Sequence, residues 1–348
     1  MRTEAGGTAW CPPEAIGWPA TGTAVPTGTN KDVPPVPVGT MHCSGELIAT
    51  HGAVILWHMA GTTPKAVAIG SELRRAREDA GLSARQLADK LGLSHTTIGR
   101  WEKGERSPRP VDVATVLSAL GADNALREEL VELARDTDGP HWVATSLPEQ
   151  QRQLAALLEI ERDATAITDV SAMLIPGLLQ TGDYARAIMA AGGIPDTDVE
   201  TRVAVRLGRR DAITRTDRPA RLVAFVDESA LYRMIGGHQV MREQLRWLLH
   251  VAKWPTVDLR VVPMAAGWHP GLEGAFVIVE RGGDNAPVVQ LETRRSALFL
   301  HEAADIAACQ EAATRAEEVA MSPDATSRLI ADVINRMDAQ HDGTARAG

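Results

Sequence analysis

Arg100 carries the most telling chemistry in this chain of 348 residues. A guanidinium is a rigid fork of donors. On an exposed helix face it can give two parallel hydrogen bonds to O6 and N7 of guanine, worth about 1–3 kcal/mol of discrimination. His95 can donate to a base or a phosphate, and the methyl group of Thr96 can meet that of thymine. Around these three stand groups suited to phosphate oxygens, namely Lys103, Arg106 and Arg109. Such chemistry needs a frame in which the base-reading candidates share one outward face and the phosphate candidates flank it.

Residues 83–110, SARQLADKLGLSHTTIGRWEKGERSPRP, supply that frame. Ser83 is a good N-cap and Gln86 completes a capping box with it. Leu87, Ala88 and Leu91 then fall on one helical face, and Gly92 ends the helix in a conformation glycine tolerates. Ser94 caps a second helix whose buried side is Ile98 and Trp101. Trp101 lies one turn beyond Ile98 and is read as core, not as a stacking platform. Leu93 and Ile98 are expected to fill the angle between the two helices. Gly104, Pro108 and Pro110 prevent an early restart. Two short helices joined by so tight a turn form a helix-turn-helix, with His95, Thr96, Thr97 and Arg100 facing out from the second. Gly99 sits on that second helix at a cost of about 1 kcal/mol relative to alanine. Either it lets the backbone approach a ligand closely, or it is a surface change the helix tolerates.

The flanking sequence completes a small helical core. A first helix is expected over about Lys65 to Asp79, with Ile69, Leu73, Ala76 and Ala80 inward and Arg74, Arg75 and Arg77 on faces that can meet phosphate. Asp112 is expected to cap a helix carrying Val113, Val116, Leu117 and Leu120. A fifth helix, Asn124 to Asp136, carries Leu126, Leu130 and Leu133.

The run L-S-x-x-T-I-x-R-x-E-x-G-x-R-x-P, carried here by Leu93, Ser94, Thr97, Ile98, Arg100, Glu102, Gly104, Arg106 and Pro108, resembles the Cro/repressor (xenobiotic-response-element type) helix-turn-helix family. The resemblance implies a mainly α, five-helix, lambda-repressor-like DNA-binding domain of roughly 60 residues. It also implies that Gln86 and Thr97 meet phosphate.

Composition agrees with a regulator touching DNA through one part only. Net charge is −9. Yet residues 64–110 carry ten basic and six acidic side chains, a balance of +4 that leaves −13 for the remainder. Apolar residues make up 44% of the chain, and no 18-residue apolar run or apolar leader appears, so no membrane association is expected. Three cysteines, at 11, 43 and 309, are odd in number and far apart, which argues against a disulfide framework and for a cytoplasmic setting.

The domain boundaries expected are these. Residues 1–62 hold seven of the twenty prolines and show no periodicity, so they read as a disordered extension, with Met59 as an alternative natural start. Residues 63–137 form the DNA-binding domain and 138–146 a linker. Residues 147–339 form an α+β domain, and 340–348 a frayed tail. Within the third part, helices are expected at Leu147–Thr168, Thr197–Thr214, Glu228–Ile235, Gln239–Ala252, Glu302–Ala320 and Asp324–Ala339, with another starting at Asp183–Ala187. Strands are expected at Arg221–Asp227, Val257–Pro263, Ala275–Glu280, Val288–Glu292 and Ala297–Leu300.

The blocks ML-IPGLLQT-GDYARA, VDESALYRMIGG, QL-RWLL, VVP-AAGWHPG and GAF in this half resemble a domain that follows the same helix-turn-helix in actinobacterial, antitoxin-like regulators. Those are often encoded beside a small partner protein. The resemblance spans roughly Leu147 to Ile334 and implies no chemistry. Asp227 and Glu228, followed by His238, invite a metal or acid–base reading, but no zinc-ligand spacing is present, and His250, His269 and His301 are scattered. Asp227 and Glu228 are therefore read as helix caps. The loop AAGWHPGLEG lacks phosphate-loop spacing. It is read as a long connection anchored by Trp268, with a small-molecule or peptide pocket at Trp268 and His269 as the alternative. No catalytic residue, metal or cofactor is assigned, and an enzyme is not expected. The expectation is a sequence-specific transcriptional regulator of double-stranded DNA, homodimeric because one recognition helix covers too few bases, and modulated through its C-terminal domain by a small molecule or partner protein. The alternative is an antitoxin-like interaction protein that binds a small partner and uses DNA for autoregulation.

Overall fold

The computed structural model describes residues 63–347 apart from 140, 145, 284 and 293–296, with the backbone alone over 340–347. The expectations for 1–62, Met59 included, lie outside the described residues.

Five helices open the described chain: α1 (Pro64–Asp79), α2 (Ala84–Leu91), α3 (His95–Glu102), α4 (Pro110–Leu120) and α5 (Asn124–Arg135). Their inward faces build one core, with Ile69 and Leu73 from α1, Leu87 from α2, Ile98 and Trp101 from α3, Val113 and Leu117 from α4 and Leu130 from α5. The caps follow the sequence closely at α2 and α3. At α4 they do not. Pro110 is the first helical residue, Arg109 is the N-cap, and Asp112 instead accepts the Arg109 N–H at 3.1 Å from inside the first turn. Leu93, expected between α2 and α3, is exposed.

The expected linker contains structure. Strand β1 (His141–Val143) buries Trp142 against Phe299, with ring centroids 6.0 Å apart. Helix α6 (Leu147–Arg162) stops earlier than its periodicity suggests, and β2 (Ala164–Ser171) begins two residues later. Then come α7 (Gly182–Ala191), α8 (Asp196–Gly208), the single turn α9 (Asp211–Thr214), β3 (Arg221–Asp227), a 3-10 turn at Glu228–Tyr232, α10 (Gly237–Val251) and β4 (Val257–Val262). The expected helix over Thr197–Thr214 is thus broken between α8 and α9, and the one expected over Glu228–Ile235 is a 3-10 turn that ends at Tyr232. Strands β5 (Phe276–Arg281), β6 (Val288–Glu292) and β7 (Ala297–Leu300) lead to α11 (Ala303–Val319) and α12 (Pro323–Ala347). Helix α12 continues through the segment expected to fray.

The seven strands form one mixed sheet in the order β1-β7-β6-β5-β2-β3-β4. Strands β2, β3 and β4 are parallel, and the other pairings are antiparallel. Alternation sorts the side chains by face. Leu222, Ala224 and Val226 of β3 face a core built with α6, α10 and α12, whereas Phe225 faces α11 with Val170, Val262 and Phe276. The result is a helical N-terminal region followed by an α+β region, as expected.

Helix α1 belongs to both parts. Its Ile69 and Leu73 enter the five-helix core, while Val67 and Ala68 enter the larger core beside α6. Lys65 Nζ bonds Asp136 Oδ2 at 2.6 Å, Thr63 Oγ1 donates to Thr137 O at 2.9 Å, and Arg152 of α6 pairs with Glu129 of α5.

Candidate nucleic-acid interface

The turn between α2 and α3 is built by local bonds. Ser83 Oγ accepts from the Gln86 N–H at 3.2 Å, and Gln86 Oε1 accepts from the Ser83 N–H at 2.8 Å, closing the capping box. Gly92 adopts φ of 66°, in the left-handed region. Ser94 Oγ accepts the Thr97 N–H at 3.1 Å and lies 2.8 Å from Thr97 Oγ1. The free N–H groups of the first turn of α3 give that end a partial positive charge where His95 and Thr96 stand.

Two features fix α3 against α1. A Cβ added at Gly70 would lie 2.3 Å from Trp101 O and 2.9 Å from Glu102 O, so only glycine permits this approach of the two backbones. Beside it, Arg77 and Glu102 form a buried fork, Nε to Oε1 at 2.6 Å and Nη2 to Oε2 at 2.8 Å, with relative exposures of 9% and 7%. The bonds to Glu102 raise the Arg77 pKa still further. Arg77 Nη1 also donates to Leu82 O at 2.7 Å. Arg77 is therefore withdrawn from the phosphate-facing set expected for α1. Arg74 is half-buried and donates to Glu102 O at 3.1 Å, and Arg75 is exposed.

With its inner side fixed, α3 presents His95, Thr96 and Arg100 to solvent, and Ile98 and Trp101 to the core. Among the described residues, no part of the acidic C-terminal region covers the three. A Cβ at Gly99 would meet nothing within 4 Å, so packing does not demand glycine there. Gln86, Lys103, Arg106 and Arg109 are exposed and Thr97 is half-buried. Arg100 and Lys103 lie 4.0 and 3.8 Å from the two oxygens of Glu105, a loose contact at the edge of the face. Arg109 is engaged on both sides of its fork by Asp112, at 2.9 and 3.0 Å, and this guanidinium holds the Asp112 carboxyl below its ordinary value. Arg106 and Arg109 border an open cleft of about 560 Å³, whose far wall includes Arg135. Arg135 is a cation the sequence reading did not single out.

Matches to known families divide the chain in the same way. Residues 68–130 match a helix-turn-helix domain, and residues 154–332 match a domain of unknown function (DUF5753). The chain belongs to the DUF5753 family. No curated protein matches it, and no solved structure does. The helix-turn-helix marks the chain as a DNA-binding regulator.

In the DUF5753 region, Asp227 pairs with His269 and not with His238. Asp227 Oδ2 lies 3.1 Å from His269 Nε2, and Asp227 Oδ1 accepts the Ser229 N–H at 2.8 Å, the expected cap. Burial raises the Asp227 carboxyl, but the bonds from Ser229 and His269 outweigh it and leave it below its ordinary value. Glu228 is no cap, because it reaches across to accept the Met264 N–H at 3.0 Å. His238 binds Met337 O at 3.0 Å and so ties α10 to α12. The loop after β4 reverses the anchoring expected of it, since His269 is buried and Trp268 is 61% exposed. Among the described residues, no group of three metal-ligating side chains converges, and no helix is long and apolar enough to cross a membrane.

Proposed function

We propose that the chain is a cytoplasmic, sequence-specific transcriptional regulator of the Cro/repressor type, and not an enzyme. In this reading α3 enters the major groove and His95, Thr96 and Arg100 touch base edges. Gln86, Thr97, Lys103, Arg106 and Arg109 hold the flanking phosphates. The observation that carries it is the division of α3. Its inner side is locked by Ile98, Trp101 and the Arg77–Glu102 fork, while its base-reading candidates stand in solvent in the presence of the described residues of the acidic half. One such helix reads too few base pairs to be specific in a genome, so the chain acts as a homodimer on two half-sites about 34 Å apart. The DUF5753 domain modulates it. In the antitoxin-like form of this reading, the same domain holds a small partner protein, and co-purification from the native operon separates the two forms.

The test is binding to a library of operators followed by titration on the selected one. Arg100→Ala should flatten preference at one base pair per half-site, a loss of about 1–3 kcal/mol of discrimination. Lys103→Ala should weaken all sequences alike and shallow the salt slope by about one unit. Unchanged specificity in Arg100→Ala overturns the groove assignment.

A further inference from the structure

Strands β2, β3 and β4 are parallel, so the loops that follow them emerge at one edge of the sheet. Six large apolar side chains are exposed on those three loops: Met173 (57%), Tyr232 (37%), Met234 (48%), Met264 (56%), Trp268 (61%) and Leu272 (48%). The remaining exposed large apolar residues, Leu174 apart, are spread over other elements. Named contacts join the loops into one surface. Arg233 Nη2 lies 3.6 Å from Met173 Sδ, and Ser229 Oγ donates to Ala172 O at 3.4 Å. Glu228 accepts from the Met264 N–H at 3.0 Å and from the Tyr232 hydroxyl at 3.2 Å. The buried Asp227–His269 pair fastens the third loop to the end of β3 and leaves its neighbour Trp268 outside.

We infer that this edge is the surface through which two copies of the chain associate about a twofold axis. Methionine, tryptophan and tyrosine are enriched at protein interfaces and depleted on ordinary surface. Contiguous exposed apolar area of this kind marks an association site. With fully exposed areas of about 200 Å² for side chains of this size, the six leave roughly 600–700 Å² open, close to the ~800 Å² per partner of a standard interface. The charges bordering the patch are of both signs. Arg233, beside Met173, and Arg336, which donates to the Tyr232 hydroxyl at 2.9 Å, are positive, and Glu228 and Glu273, the neighbour of Leu272, are negative. A twofold contact sets a surface against itself, so it needs both signs on one copy. A surface shaped for an unlike acidic or basic partner would carry one. The choice of a second copy also rests on the two-half-site reading above.

The test is sedimentation of the full chain without DNA, across micromolar concentrations, for the wild type, Trp268→Glu and Met264→Glu. Both positions are exposed, so a carboxylate there is solvated in the single copy, and an unchanged circular-dichroism spectrum verifies the fold of each variant. The expected result is a wild-type dimer whose dissociation constant rises at least about 30-fold in Trp268→Glu, as for a central interface tryptophan, with Met264→Glu weakened in the same direction. A wild type that sediments as one copy, or that pairs only with an unlike protein, overturns the inference. So does a dimer indifferent to both substitutions. Binding to DNA with one half-site should be equal in wild type and Trp268→Glu, while binding to two half-sites is weaker in the variant. If sedimentation succeeds while Arg100→Ala leaves specificity intact, the interface stands and the groove reading falls.

Discussion

Replacing Glu102 by glutamine tests what holds the recognition helix in place. The substitution conserves shape and removes one charge from a pair in which both partners are more than nine-tenths buried. Arg77 would keep its bond to Leu82 O, 2.7 Å, and a 3.5 Å contact to the exposed Glu78, but would lose the carboxylate that offsets its charge. Removing one member of a buried pair typically costs 3–5 kcal/mol, and the surviving Leu82 bond places this case near 3. For a chain of this size, with an unfolding entropy of about 2.1 cal/mol/K per residue, that is a fall in unfolding midpoint of roughly 4–5 °C. Chemical denaturation gives the loss directly, and the midpoint should fall with little change in slope. The double variant Arg77→Met with Glu102→Leu should recover most of the loss, because no buried charge is left without a partner. A cost below about 1 kcal/mol for Glu102→Gln would refute the reasoning and leave the apolar core as the sole support of α3.

Other expectations follow from individual contacts. Asp169 is buried on β2 and bonded by Ser171 Oγ at 2.6 Å, and burial pushes its carboxyl up from 3.8 to about 6. The folded state then holds a proton that the unfolded state has released between about pH 4 and 6, so this residue's contribution falls as pH rises through that window. The full penalty, about 3 kcal/mol, stands at pH 7. Asp169→Asn should stabilise the chain at pH 7 and flatten that slope, as urea denaturation at several pH values would show. Gly70→Ala should cost about 1–3 kcal/mol because its Cβ meets backbone, whereas Gly99→Ala, facing open space, should gain about 0.5–1 kcal/mol in the same unfolding assay. Glu105→Gln should tighten binding to every DNA sequence by a few tenths of a kcal/mol, since it frees Arg100 and Lys103 from a screened contact, and a salt titration against wild type would reveal it.

The recognition unit was legible in the sequence because its signals are local. Ser83 with Gln86, Gly92 and Ser94 each act within four residues, and the helical spacing of Leu87, Ile98 and Trp101 names the buried side. The five strands that were expected share the same property, being short runs bounded by turn residues. Strand β2 escaped notice because Leu157, Ile160, Ala164 and Ile167 continue the helical spacing of α6. Only pairing with β3 and β5 on either side shows that the chain is extended there. Trp142 escaped because its partners, Phe299 and Gln153, come from β7 and α6.

Periodicity and capping by themselves determined where the helix-turn-helix lies, which face of α3 is polar and that an α+β region follows. Tertiary structure alone decided that Arg77 is spent on Glu102, that Gly70 sits where two backbones nearly touch, and that Asp227 meets His269 across 42 residues. It alone gathered the methionines and Trp268 of three separate loops at one edge. The physical reason is range: a cap or an amphipathic stripe is set by neighbours in the chain, whereas an ion pair or an exposed patch depends on which distant segments the sheet brings side by side.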